Sequence, residues 1–470
     1  MYQCLTKLFF GRLPALLSLN QSKPMKFCVL VPSHAHIRTA KHNSRLNISK
    51  YFGLKLVLAE LLASLNIEPD VVTYQEVHKY DVVLASIHSV EDYWGHAFTF
   101  YNRLKGKRSG IWICGGSAVQ NLPVLSEIFD FAFVGRAEEI LVPFFKSLLS
   151  GNIDTCESIV DFAQYSQSNI YRINYVQRMS KVVIGKEQET MLGCKYNCAY
   201  CRYRIAALPP TKRDEDTETT MPGNEETFWE LKIESSKQYT TSLDGLTEAA
   251  RYAVSKRISN QAIYDKFAAI GQERRSLFLK VYLICGYPGQ RSVDFSELRE
   301  VLRNVDAGLD GHNFNIKFHV TPFSAEPGTP MQWEPVNIVD NYNDMFKDVS
   351  QALRNVYVSE NINAYVLRTT MSNWSVFKRA VHHRSFVHNL DVVRTIAADP
   401  FFRSHDNTHG DKLNRAYQLF DVDQFVRSYP IGAPLSSSNI VSWRKQKSIE
   451  NQARTVRMSL ADIATSPCLV

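Results

Sequence analysis

The chain has no uninterrupted apolar run of roughly 18 residues, the length a membrane-spanning helix needs, which argues against membrane insertion. It has no disulfide-like framework either. Its nine cysteines are Cys4, Cys28, Cys114, Cys156, Cys194, Cys198, Cys201, Cys285 and Cys468, an odd set that is scattered outside one short cluster. Such usage fits a reducing, intracellular compartment, and the expectation is a cytoplasmic protein. No second C-x2-C pair occurs, and the H-x3-H spacing of His405 and His409 has no cysteine pair beside it, so the two-pair ligand sets of structural zinc are missing. No acidic residue precedes Glu60, which leaves Met1 to Pro24 basic and partly apolar, as a transit peptide would be. The arginine content of that stretch is low, however, and Met25 opens a clean strand, so residues 1–24 read as an extension.

With 45% apolar and 21% charged residues the composition is that of a globular chain, and 470 residues suffice for more than one domain. Net charge is +7 and uneven: between Asn361 and Leu460 fourteen Lys and Arg stand against seven Asp and Glu, ending in Trp443-Arg-Lys-Gln-Lys447. This surplus suits an anionic substrate, DNA included; its plain alternative is a solvated basic face, because no recognised nucleic-acid-binding motif accompanies it.

The densest chemistry lies in Gly193-Cys-Lys-Tyr-Asn-Cys-Ala-Tyr-Cys-Arg202, a C-x3-C-x2-C spacing of Cys194, Cys198 and Cys201. Thiolates on one short loop can converge on a cubic iron–sulfur cluster, and a closed structural cluster would take a fourth cysteine. Three donors leave one iron open for chemistry. The rival readings are a zinc site, which usually wants four ligands, and three unrelated buried thiols.

The run resembles the signature of radical S-adenosylmethionine (radical SAM) enzymes. That resemblance implies a [4Fe-4S] cluster whose open iron chelates S-adenosylmethionine and whose electron cleaves the sulfonium bond. The 5′-deoxyadenosyl radical so formed takes hydrogen from an unactivated carbon. Further segments carry the resemblance. Asp244-Gly-Leu-Thr-Glu-Ala-Ala-Arg251 and Ser255-Lys-Arg-Ile-Ser259 are similar to the family's acidic-Gly stretch and its Asn-Lys-x-Ile-Thr connection. Leu279-Lys-Val-Tyr-Leu-Ile-Cys-Gly-Tyr-Pro-Gly-Gln290 resembles a strand ending in Gly-x-Pro-Gly, and Lys317 to Glu334 resembles the closing strand and loop of the cobalamin-domain branch.

The resemblance also implies a cofactor site. Tyr200 stands beside the cluster and toward the adenine, and Gly286 leaves room for the nucleoside or is simply a turn glycine. Asp244 and Arg251 fix the ribose hydroxyls and the methionine carboxylate, or form an ordinary helix-terminal acid and base. The family's Gly-Gly-Glu element has only Pro222-Gly-Asn-Glu-Glu226 in its place, so Glu234, on a strand from Leu231, is the alternative ligand for the S-adenosylmethionine amine. No catalytic residue is named beyond these.

The fold class is α/β. From Met25 to about Gly151 strands alternate with helices and read as a doubly wound, parallel, Rossmann-like sheet. Gly115-Gly116-Ser117 and Gly135-Arg-Ala-Glu-Glu139 follow two strands, where glycine lets a ligand or a neighbouring loop approach the backbone. This part is similar to the cobalamin-binding-like domain that precedes many radical SAM domains. The Asp-x-His-x-x-Gly segment of histidine-ligated members is missing, and none of His34, His36, His78, His88 and His96 is flanked to replace it. The expectation is therefore the fold without cobalamin, with a base-off cobalamin as the alternative. Residues 152–180 read as a linker, 181–340 as a partial (βα)6 radical SAM barrel, and 341–470 as a basic region, helical at first and then irregular, that closes the barrel's open end. Thr211 to Thr220 reads as a flexible loop, and Ser404-His-Asp-Asn-Thr-His-Gly410 as a surface loop more than a metal site.

Function then follows from the resemblance: a radical SAM enzyme that rearranges or modifies a carbon centre, reduced by a donor such as flavodoxin or ferredoxin. Lacking both the cobalamin motif and an accessory cluster, the chain resembles phage-type members, which include isomerases of amino-acid-modified thymidine in viral DNA. That reading would place it in a host cytoplasm. A methylthiotransferase or methyltransferase acting on RNA or protein is one alternative; methylthio transfer would require Cys28, Cys114 and Cys156 to converge on a second cluster. A non-catalytic iron–sulfur sensor is the other.

Overall fold

The computed structural model describes residues 24–31, 52–166, 168–174, 183–184, 187–188, 191–192, 196–202, 211–212, 238–245, 247–272, 277–288, 295–307, 314–324, 326–336, 362–368, 373–384, 389–433, 435, 440–441 and 446–465. The first unit runs β1 (Phe27–Leu30), α1 (Phe52–Leu65), β2 (Asp70–Val72), β3 (Val82–Ser86), α2 (Val90–Phe98), β4 (Ile111–Gly115), α3 (Leu122–Ile128), β5 (Phe131–Phe133), α4 (Glu138–Leu149) and β6 (Ile159–Asp161). Strands β1, β3, β4 and β5 are almost continuously apolar, as strands covered on both faces must be. They form one sheet in the order β2-β1-β3-β4-β5-β6, parallel except for β6. Order reverses at β1 and β3, the doubly wound arrangement that the alternation of strands and helices predicts.

Each face of the sheet has its own core. Leu61 on α1 and Phe144, Phe145 and Leu148 on α4 pack beneath Phe27, Leu84 and Ile113. On the other face Tyr93, Trp94, Leu122, Leu125 and Phe129, from α2 and α3, cover Cys28, Val83 and Trp112. Helix α2 starts on a capping box in which Ser89 accepts from the Asp92 amide and Asp92 accepts from Ser89. Residues 152–180 do more than connect, since β6 extends the sheet and β7 (Tyr171–Arg172) pairs with a strand near the far end of the chain.

The second unit contains β8 (Val183–Ile184), β9 (Glu187–Gln188), β10 (Met191–Leu192), β11 (Thr211–Lys212), β12 (Gln238–Ser242), α5 (Glu248–Ala253), α6 (Asn260–Gln272), β13 (Leu277–Cys285), α7 (Phe295–Ala307), β14 (Phe314–Pro322) and β15 (Ile362–Arg368). Strands β12-β13-β14-β15 form a parallel sheet in that order, with α6 and α7 on its apolar face. One expectation is corrected here: the sheet continues past residue 340 through β15. Of the stretch expected as a flexible loop, Thr211 and Lys212 form β11, paired antiparallel to β10, and residues 213–220 lie outside the described residues.

The remaining elements are α8 (Asn373–Arg384), α9 (Asn389–Ala398), α10 (His409–Leu419), α11 (Asp423–Val426), β16 (Ile440–Val441) and α12 (Gln446–Thr465). The last is a regular helix where the sequence suggested irregular chain. Trp374, Phe377, Val392 and Ile396 share a core with Tyr93, Trp94 and Leu125, and Trp94 Nε1 donates to the Lys378 carbonyl at 3.1 Å. Helices α8 and α9 therefore cover the first unit, and the same core takes in Ala199, Tyr287 and Phe323 of the second. Helix α12 packs on α5. No helix among the described residues is long and apolar enough to cross a membrane.

Candidate active site

Cys198 and Cys201 lie on one tight turn, closed by the Cys201 amide donating to the Cys198 carbonyl at 3.1 Å. Two other segments hold it. The Ala199 amide donates to Val254 O at 2.8 Å, and Ala199 O accepts from the Met331 amide at 3.1 Å. Cys198 is buried and Cys201 half-buried, both as free thiols; Cys194 lies outside the described residues. Burial pushes the Cys198 thiol up to about 11, and the Lys256 ammonium opposes that rise.

Lys256, in the segment Ser255-Lys-Arg-Ile-Ser259, has a role that the motif alone does not assign. Its Nζ lies 3.0 Å from Asp244 Oδ2, 2.8 Å from Ser242 Oγ and 4.2 Å from the centroid of the Tyr196 ring. Ser242 Oγ donates to Asp244 Oδ2 at 2.9 Å, which completes a buried triad beside the cysteine turn. Burial penalises the Lys256 ammonium, but Asp244 and its other neighbours hold it protonated. Asp244 sits at φ 55°, a left-handed conformation that Asp tolerates better than most residues. The sequence signal was a lysine two residues before the apolar Ile258, which is buried with it.

The structure brings together three of the residues expected to bind cofactor. Tyr200 lies with its ring centroid 6.0 Å from that of Tyr287, whose hydroxyl donates to Asp244 O at 2.6 Å. Gly286 stands at the end of β13 at φ 79°. Arg251 is not with them. Its wholly buried guanidinium donates to Ile258 O at 2.7 Å, Gly245 O at 3.3 Å and Asn260 Oδ1, bonds that close its own helix and the turn after it. Glu234 and the segment Pro222 to Glu226 lie outside the described residues.

Arg202, directly after Cys201, ties the turn to the first unit. Its amide donates to Glu326 Oε2 at 3.4 Å and its Nη2 to Val119 O at 3.3 Å. With the Gln120 amide oriented oxygen-inward, that oxygen accepts from the same guanidinium at 2.6 and 3.1 Å. Burial lowers Arg202 to about 10 against the attraction of Glu326, and raises Glu326 against that of Arg202.

At the carboxyl edge of the first sheet both glycine segments serve the chain's own loops. A Cβ on Gly116, at φ 122°, would meet Ile87 O at 2.5 Å, and one on Gly135, at φ 93°, would meet Asn174 O at 2.5 Å. His88 Nδ1 is within 3.2 Å of Ser117 Oγ, His96 Nε2 within 3.3 Å of Ser86 O, and His78 is exposed. His34 and His36 lie outside the described residues. The close approaches that Gly116 and Gly135 allow are thus taken by the chain's own backbone. Among the described residues no group of three or more His, Cys, Asp and Glu side chains is gathered to hold a metal, and in the His405 to His409 loop Thr408 and Asp411 form a helix cap.

No protein-family model matches the chain, and no curated protein sequence matches it. Among solved structures, the cobalamin-dependent S-adenosylmethionine radical enzyme OxsB with aqua-cobalamin and S-adenosylmethionine bound is similar at 12% identity and a TM-score of 0.29, over 94% of this chain and 67% of that one. Its apo, selenomethionine-labelled form gives 12% and 0.28 over 74% and 53%. A superposition this loose decides neither fold nor activity.

Proposed function

We propose that the chain is a radical SAM enzyme, with Cys194, Cys198 and Cys201 holding a [4Fe-4S] cluster. The observation that carries this is the cysteine turn itself: three thiols at C-x3-C-x2-C spacing, of which Cys198 and Cys201 share one hydrogen-bonded turn beside a buried ammonium. The donor set fits the group, because thiolates are its usual ligands and Lys256 offsets part of their charge in a buried place. When bound, such a cluster supplies the electron that breaks the sulfonium bond of S-adenosylmethionine. The protein's part is to position and to keep water out. Tyr200, Asp244 and the bare backbone of Gly286 surround the place for the nucleoside, and Tyr287 and Phe323, ring centroids 5.3 Å apart, shield its rear.

The finer reading is hydrogen abstraction followed by rearrangement of an anionic substrate, with amino-acid-modified thymidine in DNA as the specific candidate. The basic stretch from Asn361 to Leu460 supports it. Comparing nucleosides by mass spectrometry in DNA from cells with and without the gene tests it, and identical profiles would end it. Methylthio transfer loses support because Cys28 and Cys114 lie buried on β1 and β4, with β3 between them, while Cys156 is exposed.

Anaerobic reconstitution tests the general reading. About four irons per chain and formation of 5′-deoxyadenosine from S-adenosylmethionine and a reductant are expected. An intact cluster without 5′-deoxyadenosine would make the chain a sensor.

A further inference from the structure

The β12–β15 sheet has two unlike faces. Leu279, Val281 and Leu283 on β13 and Ile316, Phe318 and Val320 on β14 are buried against α6 and α7. The residues between them point the other way and are half-buried and polar. Parallel register sets Thr240, Lys280 and Lys317 in one row and Ser242, Tyr282 and His319 in the next. None of the four strands contains Asp or Glu.

Contacts within these rows are specific. Lys280 Nζ donates to the Tyr282 hydroxyl and lies 4.4 Å from the centroid of that ring. The Tyr282 ring is centred 5.4 Å from the His319 ring. Among the described residues His319 Nε2 is buried without a hydrogen-bond partner, and the charges that act on it there, Lys280 and Lys317, are both cationic. A core gains nothing from a ring nitrogen left unpaired beside cations, since a buried hydrogen-bonding group left unmet is destabilising. An anion removes that cost, because it accepts from the imidazole and from the ammonium together. The second row ends at Ser242, bonded to Lys256 and Asp244 beside Cys198, so this face runs up to the cysteine turn.

We infer that this polar face binds the anionic group of the substrate, a carboxylate or a phosphate, through Lys280 and His319 with Lys317 and Tyr282 beside them. The inference deepens the radical SAM reading and rests on it for the word substrate.

Isothermal titration calorimetry of the full chain, purified without iron, tests it with phenyl phosphate, benzoate and neutral benzamide. At least one anion binds and benzamide does not; which anion binds more tightly identifies the group. K280A weakens that anion about ten-fold or more, and K280R, which keeps the charge, stays within about three-fold of the parent. H319F gives a second loss should K280A fail to fold, with circular dichroism reporting the fold of each variant. Failure of both anions to bind the parent chain, equal binding of benzamide, or unchanged affinity in folded K280A and H319F overturns the inference. Binding is read without iron or S-adenosylmethionine, so the two readings fail separately. A chain that binds an anion but makes no 5′-deoxyadenosine contradicts only the cysteine assignment; one that makes 5′-deoxyadenosine but binds neither anion contradicts only the anion site.

Discussion

The Lys256 ammonium stands 3.0 Å from the Asp244 carboxylate, with both side chains buried two segments away from each other in sequence and directly beside the cysteine turn. Removing one partner of such a pair leaves the other charged and unsolvated. K256M is expected to lower the stability of the full chain by about 3–5 kcal/mol, and adding D244N to recover part of it, because an amide leaves no charge behind. Urea unfolding measures both; a K256M chain as stable as the parent would show that the pair is not buried as described.

His382 gives the pH dependence. Burial, with Arg202 and Arg379 adding to it, pushes its imidazole from 6.5 down to about 3, and neither ring nitrogen has a hydrogen-bond partner. The folded value lies below the unfolded one, so between them the unfolded chain takes up a proton that the folded chain refuses. This stability is complete above about pH 6.5 and falls as pH drops toward 3. The loss at the acid end is on the order of a few kcal/mol. H382F is expected to flatten the fall in urea midpoint between neutral and mildly acidic pH, and a midpoint equally pH-dependent in parent and variant would contradict this.

Arg251 separates scaffold from cofactor ligand. Its donors are taken by Ile258 O, Gly245 O and Asn260 Oδ1, so R251M is expected to cost about 3 kcal/mol or more in thermal or urea unfolding. S-adenosylmethionine affinity of the folded, cluster-loaded variant is expected to stay near that of the parent. A stable R251M chain that loses S-adenosylmethionine would restore the cofactor role its place in the sequence suggests.

Two glycines should respond oppositely. G116A forces a Cβ to 2.5 Å from Ile87 O at a φ of 122°, and a loss of several kcal/mol is expected in urea unfolding. Gly53 on α1 has nothing within 4 Å, and G53A is expected to stabilise by about 0.5–1 kcal/mol.

The sheet of the first unit was legible because its strands are buried on both faces and separated by helical stretches; β1, β3, β4 and β5 lie where the apolar runs predict. The short β6 and β7 were not, because Ile159–Asp161 and Tyr171–Arg172 form strands only through partners elsewhere in the chain. Tyr200, Asp244 and Gly286 belong to separate local motifs, and the fold brings the three near one another through Tyr287. The partners of Arg251 were not legible, because spacing on a helix says which residues share a face and nothing about which carbonyls wait beside them. The row from Tyr282 to His319 was missed because its meaning comes from register between strands more than thirty residues apart, and Lys256 because its partners Ser242 and Asp244 lie across an intervening helix.

The most direct measurement is 5′-deoxyadenosine produced anaerobically from S-adenosylmethionine and dithionite by the reconstituted chain and by C194A, C198A and C201A. The account predicts product from the parent and none above background from each variant, with iron content falling in parallel. A variant that matches the parent in iron and in 5′-deoxyadenosine would contradict it.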